Sequence, residues 1–461
     1  MATDTPAEVR NLVIYQVFPR NHGPHGTLTD VTADLERIAD LGVDYVYLLP
    51  VHPIGEVGRK GSLGSPYAIR DYRTLHPDLG TEEDMAALIA RAHDLGLGVM
   101  VDIVFNHTAH DSILVEEHPE FFHTDAEGNP VTSVPAWSDI IDFRHPHPEI
   151  DDYLLDCLRQ WVVAGVDGFR CDVATLVPLA FWQRARAELA QLRPGLLWLA
   201  ETVHPMMVEA QRAEGRSLPS DGEMFTAFDI EYSYDIWGMW QAAVTGQMPV
   251  GRYLELLRWQ EVTGPANAAR LRYVENHDNY RIMGFAPSRD QAIAWTTLAA
   301  LSPGPFMVYA GQESGATRWP SLFEPDPVSW GDDELSWLVT ALAGLKKHPA
   351  LVEGTFVILD DEPCVQLAWG TRASSSLGPV PSGDGLYGVV NVSAFEGEVA
   401  VQLPDGDYPD LIGGGIVRVS EGTIPAPETA VVLAFDQSFE VDPWQTPLLD
   451  LFLHVEVLGQ D

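Results

Sequence analysis

Gly168-Phe169-Arg170-Cys171-Asp172-Val173 stands between two helix-period segments, Ile150–Ala164 and Ala180–Gln191. A short apolar run flanked in this way predicts a buried strand preceded and followed by helices. The same unit recurs along the chain. Seven further strand candidates are Ile14–Pro19, Tyr45–Pro50, Val99–Phe105, Leu196–Glu201, Phe225–Ile230, Leu271–Glu275 and Pro305–Tyr309. Thr32–Leu41 and Glu82–Leu95 supply helices between the early ones. Eight such units between Asn11 and Leu351 predict an α/β chain closed into a (β/α)8 TIM barrel. An open doubly wound sheet would want a glycine-rich phosphate turn after its first strand, and Arg20–His25 does not spell one.

The rhythm breaks in two places. After Val104–His107 no helix is expected until about Glu149, and the intervening stretch is rich in His, Pro, Asp and aromatic residues. Connections of that length are usually functional. Residues 108–147 are therefore expected to form a short inserted domain B, with 1–107 and 148–352 making the barrel, domain A. Past residue 352 the apolar pattern shortens to alternation, as in Thr355–Leu359, Val365–Trp369, Leu386–Val392, Val399–Leu403 and Ala430–Phe435. Residues 353–461 are expected to be a C-terminal all-β domain, a β-sandwich with a tail. Ser374–Asp384 reads as a loop, and Gln437–Asp461 as a tail docked on one of the domains.

Composition narrows the partners. There are 67 acidic and 27 basic residues among 461, a formal net charge of −40. Such a surface disfavours nucleic acid and anionic membranes, whereas a neutral ligand such as a sugar meets no repulsion. No apolar run approaches the ~20 residues needed to cross a bilayer. Cys157, Cys171 and Cys364 show no metal-binding spacing and read as reduced thiols. With no secretory leader visible, a cytoplasmic location is expected.

In a TIM barrel, side chains at the carboxyl ends of the strands face the active site. Polar residues collect at four of those ends: Asp102 to Asn106-His107, Arg170 with Asp172, Glu201, and Glu275-Asn276-His277-Asp278. Arg170 and Asp172 share one face of their strand. The guanidinium is expected to keep the Asp172 carboxylate ionised, as a nucleophile requires. Glu201 follows Trp198-Leu199-Ala200 with no charged neighbour in sequence, which suits a protonated general acid. Asp278 adds a third carboxylate. Asp102 reads as a structural hydrogen-bonding residue as readily as a site residue. A metal-dependent barrel enzyme, with the carboxylates around Mg²⁺, is the mechanistic rival; Arg170 argues against it, since a guanidinium competes with a cation. Trp137, Trp319 and Trp330 lie in post-strand loops and suit either sugar stacking or packing. His22, His25, His118, His123, His145 and His147 are irregularly spaced and read as loop residues rather than ligands.

These clusters, in this order, resemble the sequence regions of glycoside hydrolase family 13, the α-amylase family. Asp102–His107 is similar to its DxxxNH region and Gly168–Val173 to its GFRxD region. Val274–Asp278 is similar to its xxNHD region, and Glu201 stands in the glutamate region between. The resemblance implies a retaining mechanism with Asp172 as nucleophile, Glu201 as acid then base, and Asp278 holding sugar hydroxyls. By the same likeness Tyr67, His107, Arg170, His277 and Arg281 are implied to bind substrate. No cofactor is implied for the chemistry; a structural calcium ion at Asn106 is left open. Val173-Ala174-Thr175-Leu176 stands where many calcium-dependent relatives have Lys-His, so the acceptor side departs from the pattern. The expected reaction is hydrolysis of α-glucosidic bonds, α-1,4 foremost, in maltooligosaccharides or soluble starch. The alternative is a transglycosidase, isomerase or phosphorylase acting on small α-glucosides such as sucrose, trehalose or isomaltose.

Overall fold

The computed structural model describes residues 5–331, 334–373 and 380–436. Most of Ser374–Asp384 and the whole of the Gln437–Asp461 tail lie outside them.

Eight parallel strands form one sheet. They are β1 (Val13–Val17), β2 (Tyr45–Leu48), β3 (Gly98–Ile103), β4 (Gly168–Cys171), β5 (Leu197–Ala200), β6 (Ile230–Tyr232), β7 (Ala269–Leu271) and β8 (Phe306–Tyr309). Strand β8 pairs with β1, and a parallel bridge between Arg272 and Phe306 closes the ring. The expected (β/α)8 barrel is thus the fold. Every residue of β1, β4, β5, β6, β7 and β8 is buried, as strands covered by helices outside and side chains inside must be.

Helices α1 (Leu28–Asp40), α2 (Glu82–Asp94), α3 (Pro148–Ala164), α4 (Leu179–Leu192), α5 (Val250–Thr263), α6 (Arg289–Leu301) and α7 (Ser336–Lys346) pack outside. Thr27 with Asp30, and Thr81 with Asp84, form capping boxes that start α1 and α2. Helix α1 turns Leu28, Val31, Leu35 and Ile38 to the sheet, the spacing of one helical face.

Three expectations need correction. The sixth strand starts at Ile230, where the sequence suggested Phe225–Ile230. Ser220 and Glu223 form a capping box that starts a short helix, Asp221–Met224, and this takes the chain out of extended geometry. The seventh strand ends at Leu271, so Val274–Asp278 lies wholly in the loop beyond it. The segment after β3 also contains a helix, Ile113–Glu117, capped by Ser112, within an otherwise irregular stretch. That segment is anchored by antiparallel pairing of His107–Ala109 with Ile140–Asp142.

The C-terminal region holds a four-stranded antiparallel sheet of Thr355–Asp360, Val365–Ala373, Val380–Val390 and Ala430–Asp436, with two two-stranded sheets beside it. It packs on α6: Gln291 Nε2 donates to the Val392 carbonyl at 2.9 Å and Trp369 Nε1 to the Leu301 carbonyl at 2.7 Å. Cys157, Cys171 and Cys364 are buried and unpaired. Among the described residues no helix is long and apolar enough to cross a membrane.

Candidate active site

Parallel register assembles the site. Asp102 on β3 lies directly beside Arg170 on β4, and Arg170 beside Leu199 on β5. The ladder continues past the strand ends, with the Asp172 N–H donating to the Ile103 carbonyl and the Glu201 N–H to the Cys171 carbonyl. Asp172 and Glu201 thereby emerge side by side, one residue beyond β4 and β5.

Arg170 is fully buried and central. Its Nη1 donates to both oxygens of Asp102, at 2.8 and 2.9 Å, and to Asp172 Oδ1 at 2.9 Å. Its Nη2 lies 2.8 Å from Glu201 Oε2. Strand parity anticipated the contact with Asp172. The contact with Glu201 overturns the expectation of an acid without a charged partner: the guanidinium is long enough to cross from β4 to the residue after β5. Asp102 is the structural anchor. Besides Arg170 it accepts from Tyr47 Oη at 2.5 Å and Tyr67 Oη at 3.0 Å.

Burial, and next the charge of Glu201, push the Asp172 carboxyl well above the ordinary range, with Arg170 pulling the other way. The stabilisation of the Asp172 charge expected from Arg170 is present, but burial and the Glu201 charge outweigh it.

Val173, immediately after Asp172, has φ 33° and ψ 45°. A β-branched residue rarely adopts this left-handed conformation. The turn points the Val173 N–H at Glu201 Oε2, 2.9 Å away. Val173 also packs with Leu176 and Val203, and Trp137, Met207, Val208 and Leu218 cover the group. An apolar wall thus stands beside Glu201.

On the opposite side, His277 Nδ1 accepts from Gln16 Nε2 at 3.0 Å. Its Nε2–H therefore faces Asp278 Oδ2 at 3.0 Å and Tyr67 Oη at 2.6 Å. The Tyr67 and His277 rings stack with centroids 5.5 Å apart. Burial works against the Asp278 charge, but His277 and then Arg170 outweigh it and hold the carboxyl below its usual range. Its side chain remains 39% exposed, so it sits among protein groups yet opens into the mouth. Asn276 shapes this loop by accepting from the Asp278 N–H at 2.9 Å.

His107 is buried under Trp137, with ring centroids 5.8 Å apart. Burial pushes its imidazole down to about 4, so it is neutral near pH 7. Arg281 is placed differently from the others. Its donors go to Glu275 Oε1 at 2.6 Å and the Ala310 carbonyl at 2.8 Å, which ties the β7 loop to the end of β8.

The Asn106 side-chain amide donates to His107 Nδ1 at 3.2 Å, and its backbone carbonyl accepts from the Phe143 N–H. Nearby Asp139 is paired with Lys60 at 2.8 Å, and Asp142 accepts from the Ser133 N–H at 2.8 Å and its hydroxyl at 2.5 Å. Among the described residues no group of three or more His, Cys, Asp or Glu is arranged to hold a metal. Four of the scattered histidines have local hydrogen-bond partners: His22 with Asp34 at 2.7 Å, His25 with Asp30 at 2.9 Å, His118 with Glu120 at 3.1 Å and His145 with the Phe105 carbonyl at 2.8 Å. Trp330 is a packing residue, its indole N–H donating to the His22 carbonyl at 3.1 Å.

Sequence reading missed Gln16, Tyr47 and the Val173 N–H. The first two were accessible in principle from strand parity. The third depends on a backbone torsion that no residue type announces.

Comparison with known proteins agrees with this geometry. Residues 10–126 and 136–340 match the family described as alpha amylase, catalytic domain, and residues 381–433 match the bacterial alpha amylase C-terminal domain. The fold superposes on the crystal structure of an α-amylase from Lactobacillus plantarum with TM-score 0.87 and 40% identity, covering 93% of this chain and 100% of that one. It superposes on a noncanonic maltogenic α-amylase from Thermotoga neapolitana with TM-score 0.81 and 31% identity, covering 93% and 99%. A curated relative, the α-1,4-glucan:maltose-1-phosphate maltosyltransferase of Corynebacterium glutamicum, is 36% identical over 353 residues, 69% of this chain and 47% of the relative. The chain spans about half or less of the length of the curated relatives it matches.

Proposed function

Since the chain belongs to the α-amylase family, its residues 10–126 and 136–340 matching the catalytic domain, we propose that it is a retaining enzyme that breaks α-glucosidic bonds in maltooligosaccharides by double displacement. The observation that carries this reading is Arg170, which holds Asp102, Asp172 and Glu201 in one buried set.

Asp172 attacks the anomeric carbon and forms a covalent glycosyl-enzyme, while Glu201 gives its proton to the departing oxygen. The Val173 N–H and Arg170 both address Glu201 Oε2. Oε1 is left to carry the proton. Glu201, now a carboxylate, then activates the acceptor that releases the sugar from Asp172. Asp278 and His277 hold the hydroxyls of the reacting ring, and neutral His107 adds a further donor. Tyr67 keeps His277 in place by stacking and hydrogen bonding. Removing this acid or base contribution typically costs about 10²–10⁴-fold in rate.

The acceptor is the finer question. The wall of Val173, Leu176, Val203 and their neighbours beside Glu201 presents apolar surface to the leaving-group side. Such a surface favours a sugar ring over water. The maltosyltransferase names of the curated relatives support the same reading, transfer of a glycosyl unit to a sugar or phosphate acceptor. Hydrolysis is the second reading, favoured by the likeness along nearly the whole chain to the two α-amylases.

A product profile on maltotriose, with and without inorganic phosphate and with maltose as acceptor, separates them. Longer oligosaccharides or a sugar phosphate mark transfer; glucose and maltose alone mark hydrolysis. Asp172→Asn is expected to lower turnover about a thousandfold or more while leaving the folded protein intact. Turnover within a few-fold of wild type would remove Asp172 from its role.

A further inference from the structure

Ile14 and Gln16 share one face of β1, and Val13, Tyr15 and Val17 share the other. Tyr15 turns outward, where its hydroxyl accepts from Arg37 of α1 at 3.2 Å. Gln16 therefore points into the barrel. In parallel register it lies beside Tyr47 on β2 and Tyr309 on β8. It is fully buried.

The Gln16 amide is engaged on one side only. Its Nε2 lies 3.0 Å from His277 Nδ1. Its Oε1 is buried and has no hydrogen-bond partner among the described residues. An unmatched buried carbonyl oxygen is costly, so the N–H side of the amide must be worth that cost. The surroundings of His277 give the reason. His277 Nε2 faces Asp278 Oδ2 at 3.0 Å and Tyr67 Oη at 2.6 Å. Tyr67 has a single hydroxyl proton, and it goes to Asp102 Oδ2 at 3.0 Å, the oxygen that also receives Tyr47. Nε2 thus meets two acceptors and has to carry a proton. Turning the amide over would set Oε1 against Nδ1. A neutral ring would then move its proton to Nδ1, leaving a bare Nε2 against a carboxylate and a hydroxyl oxygen. The hydrogen bonds consequently run one way. Gln16 donates to His277, His277 to Asp278 and Tyr67, and Tyr67 to Asp102, which Arg170 also holds.

We propose that Gln16 is a positioning residue of the reaction, fixing the His277 proton on Nε2 so that the ring presents a donor to Asp278 and to the hydroxyls of the reacting sugar. This role rests on the function proposed above. Hydrogen bonds to those hydroxyls strengthen as the sugar approaches the oxocarbenium-like transition state. A misplaced ring proton therefore falls on kcat rather than on KM.

Two variants of nearly the same shape test this. Gln16→Met removes the donor. Gln16→Glu replaces it with a carboxylate that draws a proton to Nδ1. Each is expected to lower kcat on maltotriose about 10–100-fold, with KM within about threefold of wild type. A residue that only fills space would leave kcat intact in both. Histidine ring ¹⁵N spectra give a second readout, the His277 signals being those lost in His277→Gln. Wild type is expected to show a bare Nδ1 and a protonated Nε2, and Gln16→Glu a protonated Nδ1. A wild-type ring protonated on Nδ1 overturns the proposal, whether or not either variant folds. So does kcat within about twofold of wild type in both variants. A wild type with the expected ring pattern that turns over no maltooligosaccharide instead overturns the double-displacement reading, and the kinetic role of Gln16 with it.

Discussion

At the scale of single residues, the site is organised by a cation. Arg170 is buried, and each charge it neutralises would otherwise be costly in that setting. Asp102 is its main partner and also receives Tyr47 and Tyr67. Asp102→Asn keeps the shape but removes the counter-charge. It is expected to lower stability by roughly 3 kcal/mol, the usual order for breaking a buried pair, and to lower kcat because Arg170 and Tyr67 lose their aim. Urea unfolding and steady-state kinetics on one substrate would show both effects; a neutral outcome in each would demote Asp102 to a bystander. Val173 is the residue whose conformation is least expected from its type. Its left-handed torsion is stabilised by the turn from the Val173 carbonyl to the Leu176 N–H at 2.8 Å and by the apolar packing around it. The result is a backbone donor delivered to Glu201.

At the scale of elements, the seam between β7 and β8 decides whether the barrel closes. Gly304 has φ 116°, and a Cβ there would meet the Arg270 carbonyl oxygen at 2.0 Å. Gly304→Ala therefore forces the seam apart and is expected to cost about 3 kcal/mol or more, visible as a large drop in Tm. Lys346 on α7 closes the same seam by donating to the Gly304 carbonyl at 2.6 Å. Burial, helped by Arg272 and Lys347, pushes its ammonium down to about 7 from 10.5. Between these values the unfolded chain binds a proton that the folded chain has released. Stability from this group accordingly rises with pH across that window, and the cost of burying it is full below pH 7. The Tm difference between wild type and Lys346→Met should shift in favour of wild type from pH 7 to about 10. A constant difference would mean that Lys346 stays charged in the folded protein.

Across the whole molecule, a net charge of −40 sets up self-repulsion that opposes the packing of the core. The Debye length falls from about 30 Å at 0.01 M salt to about 3 Å at 1 M. Tm is expected to rise by several degrees between about 0.01 M and about 1 M KCl. A flat salt response would indicate that the acidic residues are locally paired. The packing of the C-terminal sheet on α6 joins its unfolding to that of the barrel, so one transition is expected by calorimetry.

Eight buried strands with helices between them were legible as a barrel because hydrophobic period is a local property. The ends of the fourth and fifth strands pointed to Asp172 and Glu201 because strand parity and the barrel's polarity need no coordinates, whereas Asp278 was reached from a seventh strand expected to run to Glu275 and lies in the loop after Leu271. Boundaries were less legible: the capping box at Ser220 moved the sixth strand, since a local side-chain hydrogen bond outcompeted an apolar run. What sequence alone could not reach depends on separation in space. The Arg170 to Glu201 contact spans two strands through parallel register. The Asp278 environment is built by Gln16 and Tyr67, more than 200 residues away in the chain. Residue types and their period determined the fold and pointed to the candidate reacting groups. Register, torsion and loop encounter, which are settled only when distant segments pack, decided how those groups are charged, aimed and surrounded.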